Sequence, residues 1–586
     1  MAGLVGIVLV ALLGVVSLAL AQLGRHDGVA AIGITLALTA AGAAAVRRWT
    51  VMPAIRVDKV ELGLLAGALV LAGAFFLPGS TYAYVDKDPG VYAAHAFAIA
   101  RDGDVQVPDA VLEAGLDPPG YSGGRFPGLW LDEAGATTVT SQFYHLQSAL
   151  LATGHDVGGK LGVFQATPLL AVGATLLLLL AARRTMGTLP AALATVLLTV
   201  CMLQVWQAKS PSSEVLAQLV FVGALFAAVL AVDTRWLPPA AVSGALVSIG
   251  FLVRPDGVLT MLGAAAVVGL LLAAGRADAR VIAFTAGLAA LAPYALWNAY
   301  DERASYTRSN GVPGLRTVLV LGVGAIGAGA AAHVLRRGRV VDISPRVQRG
   351  LGVVGAVAAS ATLLLLWFRE DLLGADFAIR PGTGERFATY DEDALRWLSW
   401  FVSIPGLVAM AVGAAVLLVR RWKPSLMLLV LPGAVLLPLY LWDARIASRL
   451  MWWGRRFVPS VLPAVALLMA LGLSWAILQR RWLVVRVAGV VAALYVVAFG
   501  ASQSLDLRDH DEMGGSWMMG VRVADTGTAD GSLFLFTRPT TPDVIQPNRN
   551  LPGALAWIHD RTTSILADPP AMAEIDDYEA ALPERE

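Results

Sequence analysis

About fifteen apolar runs, most of them of at least roughly 17 residues, follow one another along this 586-residue chain. A bilayer admits only helices and closed barrels, because every backbone polar group inside it must be hydrogen-bonded internally. The runs have helical length and do not alternate in polarity, so they predict an all-α polytopic membrane protein. Only 15% of the residues are charged, against about a quarter in soluble domains. The predicted spans lie near residues 1–22, 28–46, 61–78, 161–182, 189–207, 212–232, 238–253, 258–274, 280–299, 315–335, 350–368, 397–419, 424–441, 457–478 and 482–500.

The connections between these runs alternate between two kinds. One kind is short and basic, and by the positive-inside rule it is predicted to be cytoplasmic. Its cations are Arg47, Arg48, Arg56, Lys59, Arg183, Arg184, Arg235, Arg276, Arg280, Arg336, Arg337, Arg339, Arg346, Arg349, Arg420, Arg421, Lys423, Arg480, Arg481 and Arg486. The other kind contains the large acid-rich connections 79–160, 300–314, 369–396, 442–456 and the tail from about 501. We therefore expect a multi-pass protein of the cytoplasmic (plasma) membrane, with a cytoplasmic N-terminus and extracytoplasmic large loops and C-terminus.

Several other classes of protein do not fit the sequence. A net charge of +1 and the absence of a nucleic-acid motif argue against a nucleic-acid partner. The single cysteine, Cys201, excludes internal disulfides, and seven scattered histidines do not predict a zinc site. Residues 318–327, with Asp342 further on, match a dinucleotide-binding fingerprint. If that run were not a membrane span, every later connection would change sides, and the basic and acid-rich connections would no longer be separated. The run is therefore predicted to be a span, and its small residues predict a close helix–helix contact.

The first large acid-rich connection opens with two carboxylates, Asp86 and Asp88, at the mouth of a predicted span. Charges in that position are costly unless they face water or a partner. Asp88-Pro89 also predicts a helix start, with Asp88 as N-cap and Pro89 at the first helical position. That helix should end near Asp102-Gly103, and a later short one, opened by Tyr144 and His145, should end near residue 154. Capping and chemistry are both open roles for Asp88.

Three further connections on the same side bring charges to the membrane boundary. Lys209 and Glu214 lie in one, Arg254 and Asp256 in a break between two spans, and residues 452–459 carry two arginines among aromatic residues. The arginine guanidinium group can make two parallel hydrogen bonds to a phosphate, and tryptophan is common at the level of the lipid headgroups. The charged and aromatic residues of these connections together therefore fit the binding of a lipid phosphate and a polar acceptor. Structural alternatives stay open, namely a helix-dipole role for Glu214, an ion pair of Arg254 with Asp256, and interfacial anchoring by the two arginines.

The order of these motifs resembles the GT-C superfamily of polytopic glycosyltransferases, which includes the protein O-mannosyltransferases, the aminoarabinose transferases and the actinobacterial arabinofuranosyl and mannosyl transferases. The resemblance is carried by Asp88-x-x-x-Tyr92, Glu214, the Arg-Pro-Asp-Gly at 254–257, and Arg456-Phe457-x-Pro459. It covers roughly residues 61–500, with 79–160 as the catalytic outer loop. Residues 1–60 add two N-terminal helices and a basic loop, and 501–586 form a small extracytoplasmic region in which residues 532–536 look like a strand.

The resemblance implies an inverting transferase that moves a sugar from a polyprenyl-phosphate donor to a hydroxyl of a glycan, lipid or protein acceptor. Asp88 would be the general base, a role worth about 10²–10⁴-fold in rate. Asp86 is the second choice for the base, and with Asp88 it could hold a divalent cation (Mg²⁺, Mn²⁺ or Ca²⁺). The remaining candidates are Glu214 for catalysis, Arg455, Arg456, Lys209 and Arg254 for the donor phosphate, and Tyr92, Tyr144 and His145 for substrate.

Three alternative functions share much of this pattern. A transporter or lipid flippase would place ionisable residues near the middle of its spans, often with internal repeats. Here the spans are nearly free of charge in their middles and no repeat is seen, which favours chemistry at the membrane surface. A scaffold without catalysis, and a ligase that uses a lipid-diphosphate donor, also remain open at the level of sequence.

Overall fold

The computed structural model describes the chain from Met1 to Leu566 except for residues 54–56, 117–123, 132–135, 338, 342–343, 380–383, 421–422, 445–449, 527–532 and 538–546. The helices in the first half are α1 (Ala2–Gln22), α2 (Gly28–Trp49), α3 (Lys59–Phe76), α4 (Asp88–Asp102), α5 (Ala110–Glu113), α6 (Leu146–Met186), α7 (Thr188–Thr199), α8 (Met202–Lys209), α9 (Ser213–Thr234), α10 (Leu237–Val253), α11 (Gly257–Ala273) and α12 (Ala279–Trp297), which a π-helical turn extends over Asn298–Glu302. Those in the second half are α13 (Ala304–Ser309), α14 (Leu315–Leu335), α15 (Pro345–Trp367), α16 (Arg369–Leu373), α17 (Ala394–Val402), α18 (Ile404–Arg420), α19 (Pro424–Trp442), α20 (Leu450–Gly454), α21 (Val461–Ile477), α22 (Leu483–Arg508), α23 (Ser516–Ala524) and α24 (Pro547–Ile558).

The prediction of a polytopic helical membrane protein is confirmed. Among the described residues, ten helices are long and apolar enough to cross a membrane, and two bent helix pairs bring this number to 12. The other three predicted spans coincide with shorter apolar helices, α10, α11 and α21. Each of the predicted runs therefore has a helical counterpart, although three of these helices are shorter than a full span.

Two of the predicted straight spans are broken. Helices α7 and α8 meet at 61° around Cys201, and the segment 391–402 meets α18 at 103°. At the second break Ser403 has a φ of 64°, a left-handed conformation that ends α17 abruptly. The α17 segment turns aside to pack Phe401 against the ring of Trp453, at 6.0 Å between ring centroids. Hydropathy alone does not reveal such a turn.

The two kinds of connection gather at opposite ends of the bundle. At one end, which we call the basic end, Arg183 pairs with Asp58 at 3.2 Å, and the Trp236 indole donates to the Thr50 hydroxyl at 3.0 Å. At the other, which we call the acidic end, the backbone N–H of Ser80 donates to the carbonyl of Lys209 at 2.9 Å. Two of the predicted basic residues, Arg56 and Arg421, lie outside the described residues.

The first acid-rich connection contains a small sheet that the sequence analysis missed. Strands β1 (Val107–Pro108), β2 (Gly124–Phe126), β3 (Leu129–Leu131) and β4 (Thr138–Ser141) pair antiparallel in the order β1-β4-β3-β2. Helix α4 ends at Asp102 with Gly103 in the left-handed conformation, as predicted. The short helix predicted to end near residue 154 is observed, but it runs a few residues further, to a sharp break at Gly159, and beyond this break a second helical segment of α6 continues to Met186.

The C-terminal region packs onto this connection. Its strands β7 (Leu533–Thr537) and β8 (Thr562–Leu566) pair in parallel, with α24 between them in sequence, and a separate hairpin, β5 (Phe377–Ile379) with β6 (Arg386–Ala388), lies in the 369–396 connection. Arg101 of α4 pairs with Asp560 at 3.1 Å. The predicted strand at 532–536 is thus observed from residue 533, while Ser532 lies outside the described residues.

The candidate dinucleotide-binding segment is a membrane helix, as the alternation of the connections predicted. Residues 318–327 lie inside α14, and Asp342 lies outside the described residues. The small residues of α14 allow a close helix contact, since a Cβ added at Gly329 would stand 2.1 Å from the carbonyl oxygen of Gly269 in α11. Close approach of this kind is typical of small residues in membrane helices.

Candidate active site

Asp88 stands at the start of α4 and faces an arginine from the far end of the chain. The helix begins one residue earlier than predicted, with Lys87 as N-cap, so Asp88 does not occupy the N-cap position. Its carboxylate instead accepts a hydrogen bond from Arg455 Nη1. Gly90 permits this placement, because a Cβ there would lie 1.8 Å from the carbonyl oxygen of Tyr84. Both side chains of the pair remain partly exposed, at 24% for Asp88 and 20% for Arg455.

Glu214 lies next to this pair, in the first turn of α9. Its side chain is only 1% exposed, and its Oε1 atom accepts from Arg254 Nη1 at 2.7 Å and lies 3.6 Å from Arg455 Nη1. Arg254 in turn pairs through Nε with Asp256 at 3.1 Å. The result is a chain of alternating charges, Asp88–Arg455–Glu214–Arg254–Asp256, which we call the charged cluster. Four connections, distant in sequence, contribute to it.

The arginines of the charged cluster stay protonated in spite of burial. Burial by itself lowers the pKa of Arg254, but the carboxylates of Asp256 and Glu214 outweigh burial and raise that pKa above its usual value. The pKa of Arg455 is raised in the same way, where Asp88 and Glu214 outweigh burial. Two protonated guanidinium groups beside three carboxylates can therefore bind an anion and can also hold a carboxylate ready as a base.

Asp86 lies in the same loop but outside the charged cluster. Its side chain is fully buried, accepts a hydrogen bond from the Tyr82 hydroxyl at 2.7 Å, and lies 3.8 Å from the Lys87 ammonium group. Burial raises the pKa of this carboxyl above its usual range. Lys87 and Arg455 flank one indole, that of Trp452, at 5.0 and 4.8 Å from the ring centroid.

The carboxylates do not form a donor set for a metal ion. In the part of the chain that the structure describes, no group of three or more His, Cys, Asp or Glu side chains is placed to hold one. Asp88 is engaged by Arg455, and Asp86 by Tyr82 and Lys87. The residues present therefore do not fit the cation considered for Asp86 and Asp88.

Aromatic side chains wall the site beside Glu214. The Tyr92 hydroxyl donates to Ser213 Oγ at 3.0 Å, and Ser213 Oγ also accepts from Arg254 at 3.3 Å. The Tyr92 ring stacks on Phe143 at 4.9 Å, and Phe143 meets Tyr306 edge-on at 5.3 Å. Tyr144 lies behind this wall, with its hydroxyl hydrogen-bonded to that of Thr307 at 2.7 Å.

Besides Asp86, three of the predicted site residues belong neither to the charged cluster nor to the aromatic residues beside it. Lys209 donates to the carbonyl of Arg508 at 2.6 Å, and Arg456 donates to the carbonyl of Ala444 at 2.7 Å. His145 is buried, shares a hydrogen bond with the Thr140 hydroxyl at 3.2 Å, and meets the ring of His95 at 4.8 Å. Its burial lowers its pKa and holds the imidazole neutral.

Several residues of the site were not predicted to act there. Tyr440 donates to Asp256 Oδ2 at 2.7 Å, yet it stands in an apolar run with nothing local to mark it. Tyr306 comes from the 300–314 connection, which was predicted only as an outer loop. Lys87 lies between Asp86 and Asp88 in the sequence, and this position could have predicted that it belongs to the site.

An apolar crevice leads from the bundle surface to the charged cluster. The space between α9, α10, α11, α19 and the start of α21, including the open solvent at its mouth, amounts to about 450 Å³. Its walls include the apolar side chains of Phe221, Leu246 and Leu436. Arg254, Asp256 and Tyr440 also line it, so an apolar channel and part of the charged cluster share one space.

Solved structures with a similar fold are oligosaccharyltransferases. The apo enzyme of Archaeoglobus fulgidus has a TM-score of 0.51 at 14% identity, over 80% of this chain and 58% of that one. The oligosaccharyltransferase AglB of the same organism, in complex with an inhibitory peptide and a dolichol-phosphate, has a TM-score of 0.50 at 14% identity, over 83% of this chain and 58% of that one. ArnT of Cupriavidus metallidurans, bound to undecaprenyl phosphate, has a TM-score of 0.32 at 14% identity over 86% of this chain and 85% of that one, which is too distant to support an inference.

No protein-family model and no curated protein sequence matches the chain. The likeness to the archaeal enzymes shows that the chain shares their fold, and it agrees with the predicted polytopic helical architecture. The chain spans a little under three fifths of the length of those enzymes.

Proposed function

We propose that this protein is a glycosyltransferase that moves a sugar from a polyprenyl-phosphate donor to a hydroxyl group of a glycan, lipid or protein acceptor. The observation that carries the proposal is the charged cluster at the end of an apolar crevice, with a partly exposed carboxylate, Asp88, next to Arg455. The acidic end is proposed to face the outside of the cytoplasmic membrane. The likeness in fold to oligosaccharyltransferases supports glycosyl transfer as the class of reaction.

The donor is proposed to enter from the membrane side. Its isoprenoid tail would lie in the crevice between α9, α10 and α19, whose apolar walls suit a hydrocarbon chain. Its phosphate would then reach Arg254 and Arg455, since guanidinium groups match phosphate oxygens in pairs. One of the archaeal enzymes of similar fold has a solved structure in complex with a dolichol-phosphate, which is consistent with a lipid of this class.

The proposed reaction is a single displacement with inversion. Asp88 accepts the proton of the acceptor hydroxyl while that oxygen attacks the anomeric carbon of the sugar. The bond from the anomeric carbon to the phosphate oxygen breaks, and the polyprenyl phosphate leaves with the electron pair. Arg455 and Arg254 stabilise the charge that develops on the phosphate, which is often the largest contribution to such catalysis. Glu214 holds both arginines in place, so we assign it a positioning role.

The other candidates have supporting roles in this proposal. Tyr92, with Phe143 and Tyr306, forms an aromatic wall against which a sugar ring can pack. Asp86 is enclosed by Tyr82 and Lys87 and is proposed to shape the loop rather than to accept the proton. The divalent cation considered for Asp86 and Asp88 is not part of this proposal, because both carboxylates are already engaged, and no step above depends on it.

The test is sugar transfer by the purified protein. Polyprenyl-phosphate donors that carry different radiolabelled sugars would be incubated with a crude membrane glycan fraction, with nucleotide sugars and polyprenyl-diphosphate glycans in parallel. The proposal predicts transfer from at least one monophosphate donor. Transfer from diphosphate donors alone would indicate a glycan ligase, and silence with every donor while the protein is folded would contradict the proposal.

A further inference from the structure

One feature of the site is not explained by the proposed reaction: the proposed base, Asp88, is already hydrogen-bonded to an arginine. Asp88 can take a proton from an acceptor only when its carboxylate is free to reach that proton, yet Arg455 is bonded to it. A phosphate at the charged cluster needs the same guanidinium group. The three carboxylates outnumber the two arginines, so no arginine of the charged cluster is without a carboxylate partner.

The charged cluster gives these carboxylates unequal partners. Glu214 lies 2.7 Å from Arg254 and 3.6 Å from Arg455, so it keeps its shorter ion pair if Arg455 moves away. Among the described residues, Asp88 pairs with no cation other than Arg455. Movement of Arg455 would therefore release Asp88 and leave Glu214 neutralised.

The surroundings of Arg455 permit such a movement. Its guanidinium group is 20% exposed and lies 4.8 Å from the centroid of the Trp452 ring, which can support a planar cation in more than one position. The Lys87 ammonium group lies 5.0 Å from the centroid of the same ring, so a second positive charge lies close to Arg455. Asp88 itself stands in the first turn of α4, where the helix dipole favours a carboxylate that has lost its cation.

We propose that Arg455 is an exchangeable partner, held by Asp88 in the resting protein and transferred to the donor phosphate when the donor binds. The exchange frees the base only after the donor has arrived, so the donor binds before the acceptor is deprotonated. It also means that Asp88 and the donor phosphate compete for one guanidinium group. This inference rests on the proposed function, because it assumes a lipid phosphate as ligand.

Competition between Asp88 and the donor phosphate for Arg455 predicts an effect on binding that a role for Asp88 as general base alone does not predict. Replacing Asp88 by asparagine removes the competitor and should strengthen the binding of a lipid phosphate. A hydrogen bond to a charged group contributes about 1.5–3 kcal/mol, so the gain in affinity should be about tenfold or more. Arg455→Gln should weaken binding, and in an Arg455→Gln background the Asp88→Asn change should have no effect on affinity.

The experiment is equilibrium binding of geranylgeranyl phosphate to the purified full-length protein in detergent, with geranylgeraniol and inorganic phosphate as separate ligands. Four proteins form the cycle, namely wild type, Asp88→Asn, Arg455→Gln and the double variant. Asp86→Asn is the matched control, since it removes a charge from the same loop without touching Arg455 and should change affinity by about threefold or less. Arg455→Met, which keeps much of the side-chain length and removes the charge, replaces Arg455→Gln in the cycle if the latter does not fold.

The outcomes separate this inference from the proposed function. Tighter binding by Asp88→Asn alone, lost in the Arg455→Gln background, supports the exchange. Unchanged binding by Asp88→Asn, or the same gain in Asp86→Asn, would overturn it while leaving the transferase proposal standing. If geranylgeranyl phosphate binds no protein of the set better than geranylgeraniol does, both the exchange and the phosphate donor are rejected.

Discussion

The two ends of the bundle both carry many charges, but they hold them differently. At the basic end, Arg183 and Asp58 form a pair whose side chains are 25% and 57% exposed. At the acidic end, Arg254 and Glu214 form a pair at 17% and 1% exposure, and each member has a second oppositely charged neighbour. An exposed pair contributes about 0–1 kcal/mol, whereas breaking a buried one costs about 3–5 kcal/mol.

The difference indicates what each set of charges is for. The cations of the basic end are spread over short connections and follow the positive-inside pattern, so their number matters more than their partners. The residues of the charged cluster at the acidic end are few and interlinked, and they lie beside an apolar crevice. Buried, linked charges are expensive, and such sites are candidates for chemistry rather than for topology.

The largest contrast between the ends should come from paired arginine substitutions. Arg455→Gln is expected to lower kcat/KM for sugar transfer by about 10²–10³-fold, because a donor that stabilises the leaving phosphate is lost. Arg183→Gln, at the basic end, is expected to stay within about twofold, since its ion pair is exposed. The two variants would be compared by initial rates over a range of donor concentrations. Equal losses in both, with folded protein, would remove the distinction between the ends.

Carboxylate substitutions should show the same contrast in stability. Glu214→Gln leaves Arg254 and Arg455 without their shared counter-charge and should lower the free energy of unfolding by about 3 kcal/mol. Asp58→Asn should change it by about 0.5 kcal/mol or less. Thermal unfolding in detergent, followed by tryptophan fluorescence, would rank the two. A Glu214→Gln protein as stable as the wild type would show that the charged cluster is not a buried ion-pair network.

The free energy of unfolding should fall at low pH, because two buried histidines at the acidic end are neutral in the folded protein. Burial lowers the pKa of His95 to about 3, against about 6.5 in the unfolded chain. Between these values the unfolded state binds the proton and the folded state does not. Stability should therefore fall as the pH drops below about 6.5, by about 1.4 kcal/mol per pH unit.

The measurement is the unfolding temperature of the wild type and of His95→Gln at several values between neutral pH and about pH 5. His95→Gln should flatten the pH dependence, with the remainder assigned to His145, whose pKa is also lowered by burial. An unchanged slope in a His95→Gln/His145→Gln double variant would show that other groups cause the acid sensitivity.

The smallest expected effect concerns support for the charged cluster from within the membrane. Tyr440→Phe removes the hydrogen bond to Asp256, which in turn holds Arg254. Loss of one such bond costs about 1 kcal/mol, so KM for the donor should rise about fivefold with kcat little changed. Tyr495→Phe, on an exposed face of α22, is the control and should behave as the wild type does. Donor kinetics that do not distinguish the two variants would remove Tyr440 from the site.

Local sequence was enough to nominate the charges of the site but not to join them. Asp88, Glu214, Arg254 and Arg455 were all named, because charges at span boundaries stand out against apolar runs. The ion pair of Arg254 with Asp256, two positions away, was expected and is observed, but the long-range partners were not predictable in the same way. Asp88 and Arg455 are 367 positions apart, and Tyr440 lies within a run that reads simply as a membrane span.

The parts of the fold that follow a regular hydropathy pattern were predictable, and the short or irregular parts were not. Long apolar runs gave the membrane helices, since lipid leaves few alternatives. The sheet in the first acid-rich connection escaped notice because its strands have only two to four residues within a segment rich in Gly, Pro and Asp. The turn at Ser403 was likewise invisible, because a left-handed serine between two apolar helices leaves hydropathy unchanged.

The most direct test of the account is transfer by wild type and Asp88→Asn from a polyprenyl-phosphate sugar that the wild type accepts. The proposed role of Asp88 as general base predicts that Asp88→Asn folds and binds the donor, yet transfers about 10²–10⁴-fold more slowly. Transfer at the wild-type rate would contradict it, and the proton acceptor would then have to be sought at Asp86 or Glu214.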